Sequence, residues 1–374
     1  NRSLGSGMTT RICPRVRPVS AWLSDAVGGS GHRTCFRQGF ELELSAADGS
    51  MGVGEASPLP NYSAERIEHV AAELHQLEEF DVSWPLQPIE CNEFVTQVTS
   101  RMACQLPSVR FALEGALVDL CARRFNLPAA SLLAIMAART EAHQELSLSK
   151  LLASNDLPSL LGAARHATGR GYNTVKVKLG LGRGFDRELD DLRVLRERIG
   201  FSIKLRLDPN QSCSKSDLAG LLVSMQCLQP EFVEEPVSLE ELIALEFCPV
   251  PLAIDESLRD AQALERLTPH LSRLNIRAVV IKPALVGLSS ALALAHCAEN
   301  LGLDVVITHL FDGPIGHAIA SSLALAVGTP TRAHGLAPHP GLLLSPERRV
   351  SGLGAGHLRL VAQAGLPLSE CAPC

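Results

Sequence analysis

Thr174-Val175-Lys176-Val177-Lys178-Leu179 is a short β-branched run carrying two lysines in period two, and the apolar runs that follow it along the chain also end in charge. The next reads Lys204-Leu205-Arg206-Leu207 and stops at Asp208-Pro209-Asn210-Gln211. Then come Phe232-Val233 with Glu234-Glu235-Pro236, Ala253-Ile254 with Asp255-Glu256-Ser257, and Val280-Ile281 with Lys282-Pro283. Runs this short, separated by amphipathic stretches of helical period, are the sequence form of repeated strand–helix units and a parallel sheet. Working outward gives eight candidate strands, at 145–148, 174–179, 202–207, 231–233, 251–254, 278–281, 304–307 and 331–334. Eight strands with helices between them over about 190 residues match a closed barrel better than an open doubly wound sheet. No Gly-x-Gly-x-x-Gly follows a strand and no Gly-x-x-x-x-Gly-Lys-Ser/Thr occurs, so the phosphate cradles of dinucleotide and P-loop sites are missing.

Upstream the pattern differs. Residues 35–60 alternate in period two (Phe40, Leu42, Leu44, then Met51 and Val53) about the turn-forming Ala46-Ala47-Asp48-Gly49-Ser50, which predicts an antiparallel hairpin. Residues 64–80 and 108–126 carry helical periodicity; in the second, Val109, Ala112, Leu113, Ala116, Leu117 and Leu120 share one face. A barrel needs about 250 residues, so a chain of 374 leaves a remainder. The expected fold class is α/β: a (β/α)7β TIM-like barrel at 140–339, with an α+β capping domain at 1–135 that is completed by residues from about 340 to 374.

Composition narrows the function. With 46% hydrophobic and 20% charged residues the chain can bury a large core. A net charge of -6 gives no electrostatic footprint for nucleic acid or an anionic membrane, so a small molecule is the expected partner. Homo-oligomerisation is left open. No apolar run is long enough to span a bilayer, and residues 1–20 carry Arg and Pro where a secretory segment would be apolar. The chain starts at Asn1 with Met8 further in; a cytoplasmic location is the default, or a plastid if a targeting segment lies upstream. Eleven cysteines without zinc-ligand spacing read mostly as small buried hydrophobes, and the Cys371/Cys374 pair as a frayed tail.

Catalytic groups of a barrel sit at the C-terminal ends of its strands. Asp208, Glu234 and Asp255 are spaced close to one strand–helix unit apart, so three adjacent strands would bring three carboxylates to one rim. Such a cluster repels itself unless a cation relieves it, and an oxygen-only donor set favours Mg²⁺, or Mn²⁺ in its place, over Zn²⁺. Lys176 and Lys178 point to one face of their strand, and Lys282 comes from the far side of the acids. A base therefore stands on each side of a bound carbon. Crowded beside each other and a cation, the lysines are expected to have lowered pKa values, which yields a neutral amine.

These residues resemble the enolase superfamily, in particular its muconate-lactonizing subgroup. The resemblance covers nearly the whole chain: Gly54-Glu55-Ala56-Ser57-Pro58-Leu59-Pro60 and Arg110-Phe111-Ala112-Leu113-Glu114 are similar to the family's capping domain, and 145–335 to its barrel. It implies a Mg²⁺-dependent enzyme that removes the α-proton of a carboxylate substrate through an enediolate. Asp208, Glu234 and Asp255 would then be metal ligands, Lys178 the base, Lys176 its electrostatic partner and Lys282 the lysine opposite. Asn210, Glu235 and Arg206 would be polar groups around substrate and metal. Gly28-Gly29-Ser30-Gly31 reads either as a loop that closes over the site or as an ordinary turn.

Within the family, residues 54–63 together with Val280-Ile281-Lys282-Pro283-Ala284-Leu285-Val286-Gly287 look most like the o-succinylbenzoate synthases of menaquinone and phylloquinone biosynthesis, which are dehydrating lyases. Thr308-His309-Leu310-Phe311-Asp312-Gly313-Pro314 departs from them, standing where a serine-rich stretch is usual. Dipeptide epimerases usually carry an Asp-x-Asp after the eighth strand to hold the substrate ammonium; His334-Gly335-Leu336-Ala337-Pro338-His339 has no acid. Cycloisomerases share the metal and the lysines. His309 reads as a histidine satisfied within the rim, and nothing in the sequence assigns Asp312. A catalytically inert binding barrel is the alternative of another class, opposed by the cost of burying six charges without function.

Overall fold

In the computed structural model, which describes residues 9–29, 32–154, 156–182 and 184–370, two long strands open the chain. β1 (Thr9–Gly29) and β2 (His32–Ala46) pair antiparallel, β3 (Met51–Ala56) continues on β2, and β4 (Phe80–Ser83) lies against the start of β1, in the order β3-β2-β1-β4. The expected hairpin is the β2–β3 pair. Gly49 takes φ +84° in its turn, and Asp48 Oδ1 accepts from Ser50 N at 2.9 Å. β1 is an element that sequence reasoning missed. Its Pro14 and Pro18 argue against a strand, but both fall beyond the stretch paired with β4, where one edge of β1 is left open and a missing N–H costs nothing. Gly28 and Gly29 end β1; Ser30, Gly31, Asn1, Met8, Cys371 and Cys374 lie outside the described residues. Of the described cysteines, Cys91, Cys104, Cys121, Cys213 and Cys248 are buried and four are exposed.

Four helices belong to this part of the chain, α1 (Ile67–His75) and α3 (Pro107–Arg124) packing on the sheet, α2 (Cys91–Arg101) on α3, and α4 (Ala129–Met136) on α3 and the barrel's last helix. α3 is not the one-faced helix expected: every residue from Phe111 to Ala122 is buried, because β3 covers one side and the barrel's helices another. The approach to β3 is close. A Cβ on Gly54 would lie 1.9 Å from the Ala112 carbonyl oxygen, and one on Gly52 2.2 Å from that of Ala116. Gly54→Ala is therefore expected to destabilise the protein by about 3 kcal/mol, seen as a lower urea midpoint with an unchanged slope.

The barrel follows. β5 (Glu145–Ser147) precedes seven parallel strands, β6 (Lys150–Leu152), β7 (Thr174–Lys178), β8 (Lys204–Asp208), β9 (Phe232–Glu234), β10 (Leu252–Ile254), β11 (Ile276–Ile281) and β12 (Asp304–Ile307), paired in chain order. The helices between and after them are α5 (Leu157–Gly169), α6 (Phe185–Ile199), α7 (Leu218–Met225), α8 (Leu239–Ile243), α9 (Ala263–Leu267), α10 (Pro283–Val286), α11 (Leu288–Asn300) and α12 (Pro314–Val327).

Two expected strands are corrected. Residues 145–147 leave the barrel to pair antiparallel with β14 (His357–Arg359), so the first barrel strand begins later, at Lys150. β14 lies between β13 (Arg348–Val350) and β15 (Leu368–Glu370), which pair with each other. The eighth strand, expected at 331–334, shrinks to single bridges of His334 to Leu148 and of Gly335 to Thr308. Backbone bonds hold it there, with Gly335 N donating to the Ile307 carbonyl and Ser149 N to the His334 carbonyl, and a side chain adds to them, since Ile307 N donates to His334 Nδ1 at 3.0 Å. No helix among the described residues is long and apolar enough to cross a membrane.

Buried polar residues of the first third close the N-termini of barrel helices. Glu55, at the end of β3, accepts from Gly313 N at 2.6 Å and Gly316 N at 2.9 Å at the start of α12, and Glu114 of α3 accepts from Ser289 N at 3.0 Å in α11. Arg37 is fully buried and donates to the Ser57 and Pro58 carbonyls at 2.8 and 2.7 Å. Burial, with Asp312 nearby, pushes the Glu55 carboxyl up to about 7 despite those donors. A raised acid binds its proton more tightly folded than unfolded. The native state thus loses stability relative to the unfolded chain as pH rises from 4.5, the ordinary value, to about 7. Glu55→Gln should remove that slope, worth about 3 kcal/mol across the window, in denaturant unfolding of both proteins at pH values spanning it.

Candidate active site

The β7 pleat puts Lys176 and Lys178 on one face, and parallel register sets Lys178 directly against Asp208. Glu234 ends β9 and Asp255 follows β10, so the three acids reach one rim from adjacent strands, all buried. The rim is held by ion pairs. Lys176 Nζ stands 2.9 Å from Asp208 Oδ2 and 2.8 Å from Glu234 Oε2, Lys178 Nζ is 3.1 Å from Asp208 Oδ2, and Lys282 Nζ pairs with Asp255 Oδ2. Among the described residues no three His, Cys, Asp or Glu side chains meet around one point; ammonium groups stand between the acids instead.

These ion pairs set the direction of two lysine pKa values. Burial pulls Lys176 down, but Asp208 and Glu234 outweigh it and the net shift is upward; Lys282 is likewise raised, with Asp255 overcoming burial. Burial works against charge on the acids as well: it raises Glu234, and it pushes Asp255 up to about 8 with Glu256 beside it. Asp208 goes the other way, because Lys176 and Lys178 overcome its burial.

A hydrogen-bonded chain that sequence reasoning did not find joins the two sides. Lys178 donates to Asn210 Oδ1, Asn210 Nδ2 donates to Glu256 Oε1 at 2.9 Å, Tyr62 OH donates to the same oxygen at 3.0 Å, and Lys282 Nζ donates to Tyr62 OH at 2.9 Å. Tyr62 lies within the 54–63 motif, so its position was on view, but only the fold brings it over the barrel. Asn210, only partly buried, thus touches the lysine of β7. Glu235, which has φ +24°, turns its carboxylate away from the cavity onto Asp255 N at 2.8 Å and Gln211 Nε2 at 2.6 Å, pinning the loops after β8 and β10.

Arg206 is not where it was expected. It is two residues below Asp208 and so about 7 Å deeper along the strand, on the barrel floor. There it donates to Glu231 Oε2 at 2.6 Å and the Ala333 carbonyl at 2.7 Å, with its guanidinium 4.4 Å from the Phe232 ring centre. It is a structural plug and does not line the cavity. Asp312 Oδ2 accepts from Leu310 N at 2.9 Å, closing the turn after β12. The His309 ring lies tilted against that of His339, with ring centres 3.8 Å apart.

Above the rim opens a cavity of about 340 Å³, lined by Lys176, Lys178, Asp208 and Lys282 from the barrel, and by Tyr62 and Leu59 from the first third of the chain. The donor set fits a hard divalent cation: it is oxygen-only, its three acids are buried at one rim, and burial together with neighbouring Glu256 holds Asp255 high.

Comparison with known proteins agrees with this architecture. Residues 160–366 match the family described as enolase C-terminal domain-like. The chloroplastic protein PHYLLO of Arabidopsis thaliana is 30% identical over 75% of this chain, which spans only 17% of that much longer protein. A dipeptide epimerase from Methylococcus capsulatus, solved with Mg and the dipeptide L-Arg-D-Lys, superposes with a TM-score of 0.80 at 26% identity, covering 96% of this chain and 99% of that one. The muconate lactonizing enzyme of Pseudomonas fluorescens shares the fold with a TM-score of 0.82 at 20% identity, over 96% of both chains. A family match over more than half the chain places this protein in the enolase superfamily.

Proposed function

We propose that the protein is a Mg²⁺-dependent lyase that takes the α-proton from a carboxylate substrate and expels a hydroxyl group, as o-succinylbenzoate synthases do. The observation that carries the reading is the placement of two partly buried lysines, Lys178 at the end of β7 and Lys282 after β11, on opposite sides of one cavity beside three strand-end carboxylates. Asp208, Glu234 and Asp255 would hold the metal. Bound there, Mg²⁺ would take up the carboxylate charge that now keeps the ammoniums protonated and would stabilise negative charge developing on the substrate carboxylate.

The chain's own groups divide the remaining work. Lys178, with a single carboxylate neighbour against two for Lys176, is the base, and Asn210 aims its Nζ. Lys176 stays charged and faces the developing anion. Lys282, steered by Tyr62, approaches the other face and can return a proton or assist the leaving hydroxyl. Leu59 and Tyr62 cover the cavity and limit water.

Epimerisation is the second reading, favoured by the relatedness to the Methylococcus dipeptide epimerase. It needs the same two lysines. Against it, Pro338 and His339 line the cavity where an acid would hold a dipeptide ammonium. The test incubates metal-stripped and Mg²⁺-supplemented protein in deuterated water with the succinylbenzoate precursor, L,L and L,D dipeptides and N-acyl amino acids. Mg²⁺-dependent α-deuteration with loss of water from the precursor is expected. Inverted dipeptides without dehydration would establish the epimerase, and no exchange on any compound would reject both.

A further inference from the structure

Tyr62 links the two lysine walls, yet it belongs to a short loop of the first third of the chain and not to the barrel. That loop is a closed turn, with Ser63 N donating to the Leu59 carbonyl at 2.9 Å and Leu59 N to Ser63 Oγ at 3.0 Å. What seats it over the cavity comes from the barrel side, from the 3₁₀ turn Glu256–Arg259 that follows β10.

In a 3₁₀ turn the side chains of residues i and i+3 eclipse one another, so Glu256 and Arg259 reach out together, and both end on Tyr62. Glu256 Oε1 accepts from the Tyr62 hydroxyl at 3.0 Å. Arg259 Nη1 donates to the Tyr62 carbonyl at 3.0 Å, and its guanidinium lies 4.6 Å from the centre of the ring. Arg259 is exposed, but the acid beside it, Asp260, takes Arg266 at 3.4 Å, and the Arg259 guanidinium is spent on the backbone and ring of Tyr62. The turn is itself pinned, since the Glu235 carboxylate accepts from Asp255 N at 2.8 Å and Ser257 N at 3.0 Å. A fixed turn therefore grips Tyr62, whose hydroxyl accepts from Lys282 Nζ at 2.9 Å.

We propose that Arg259 is a positioning residue: by clamping the Tyr62 loop onto the barrel it aims Lys282 at its face of the substrate. The role rests on the α-proton-abstraction reading, in which Lys178 removes the proton and Lys282 serves the following step from the opposite side. Lys178 is outside its reach, because Asp208 at 3.1 Å and Asn210 hold that ammonium whether or not Tyr62 is seated.

Arg259→Met keeps the stem and removes the guanidinium, and Arg259→Lys keeps a cation without the planar fork. In deuterated water with Mg²⁺, α-deuteration of unconverted succinylbenzoate precursor reports the Lys178 step; dehydration, or inversion of an L,L dipeptide, reports the Lys282 step. Arg259→Met should slow the second about tenfold, with KM and the first step within about twofold of the unsubstituted protein. Arg259→Lys should recover part of the loss. Tyr62→Phe, which lacks the hydroxyl that meets Lys282, should show the same one-sided loss, and adding Arg259→Met to it should cost less than about twofold more. The chain has two tyrosines, so NMR of ring-labelled tyrosine, assigned by the signal missing in Tyr62→Phe, reads the clamp without any substrate; Arg259→Met should move the Tyr62 signal toward that of free tyrosine. A Tyr62 signal unmoved in Arg259→Met, equal losses in both steps, or no loss in either would overturn the assignment. Exchange by the unsubstituted protein with an unmoved Tyr62 rejects Arg259 alone. A released Tyr62 in a protein that exchanges no probe even when unsubstituted rejects the α-proton reading, and with it the aiming of Lys282.

Discussion

Lys178→Ala is expected to lower Mg²⁺-dependent α-deuteration by about 10²–10⁴-fold, the usual worth of a positioned general base. The fold should survive. Asp208 keeps Lys176 at 2.9 Å when Lys178 is lost, so no buried carboxylate is stranded. The same variant separates the two chemistries. In a two-base epimerase, deuteration of the enantiomer served by Lys282 persists while that of the other stops; in a lyase, dehydration stops outright. Exchange and turnover within about threefold of the unsubstituted protein, measured by NMR on one substrate, would remove Lys178 as the base.

Glu234→Gln should have the second large effect, on metal binding first and turnover after it. Glu234 is buried and shares the Lys176 ammonium with Asp208. Without its charge the rim holds more ammonium than carboxylate, and a divalent cation finds two acids in place of three. At a Mg²⁺ concentration of 100 Kd a bound ion stabilises the native state by about 2.7 kcal/mol. That gain should all but vanish in the variant, and turnover should fall by about 10³-fold or more. Thermal unfolding with and without Mg²⁺ reads the first effect and deuteration the second. An undiminished Mg²⁺-induced rise in Tm would show that Glu234 is not a ligand.

Much of this was legible because barrels repeat. Val175, Val177, Leu205, Leu207, Val279 and Ile281 mark strands by composition, and the charge after each run marks its C-terminal end. What escaped depended on partners distant in sequence. β14 draws residues 145–147 out of the barrel, and no local pattern at 145 announces a strand two hundred residues on. His334 and Gly335 close the barrel by single bridges, with the His334 side chain accepting from Ile307 N, which period-two reasoning cannot register. Arg206 shares the inward face of β8 with Asp208, so spacing pointed it at the site; depth along the strand, set by Glu231 and Phe232, put it on the floor. The ion pairs of Lys176 and Lys282 escaped for a related reason: spacing showed lysine near lysine, while only the fold showed how close the acids lie. Tyr62 and Glu256 were visible as residue types, yet their link between Lys178 and Lys282 exists only once the first third of the chain folds over the barrel.

The central claim is that Asp208, Glu234 and Asp255 hold one hard cation between two lysine-bearing walls. A crystal structure grown with MgCl₂ tests it most directly. One ion bound by an oxygen from each acid at about 2.1 Å, with the Lys176 ammonium displaced from between Asp208 and Glu234, is the predicted result. Lysines still seated on all three carboxylates, with no ion at the strand ends in saturating Mg²⁺, would contradict it.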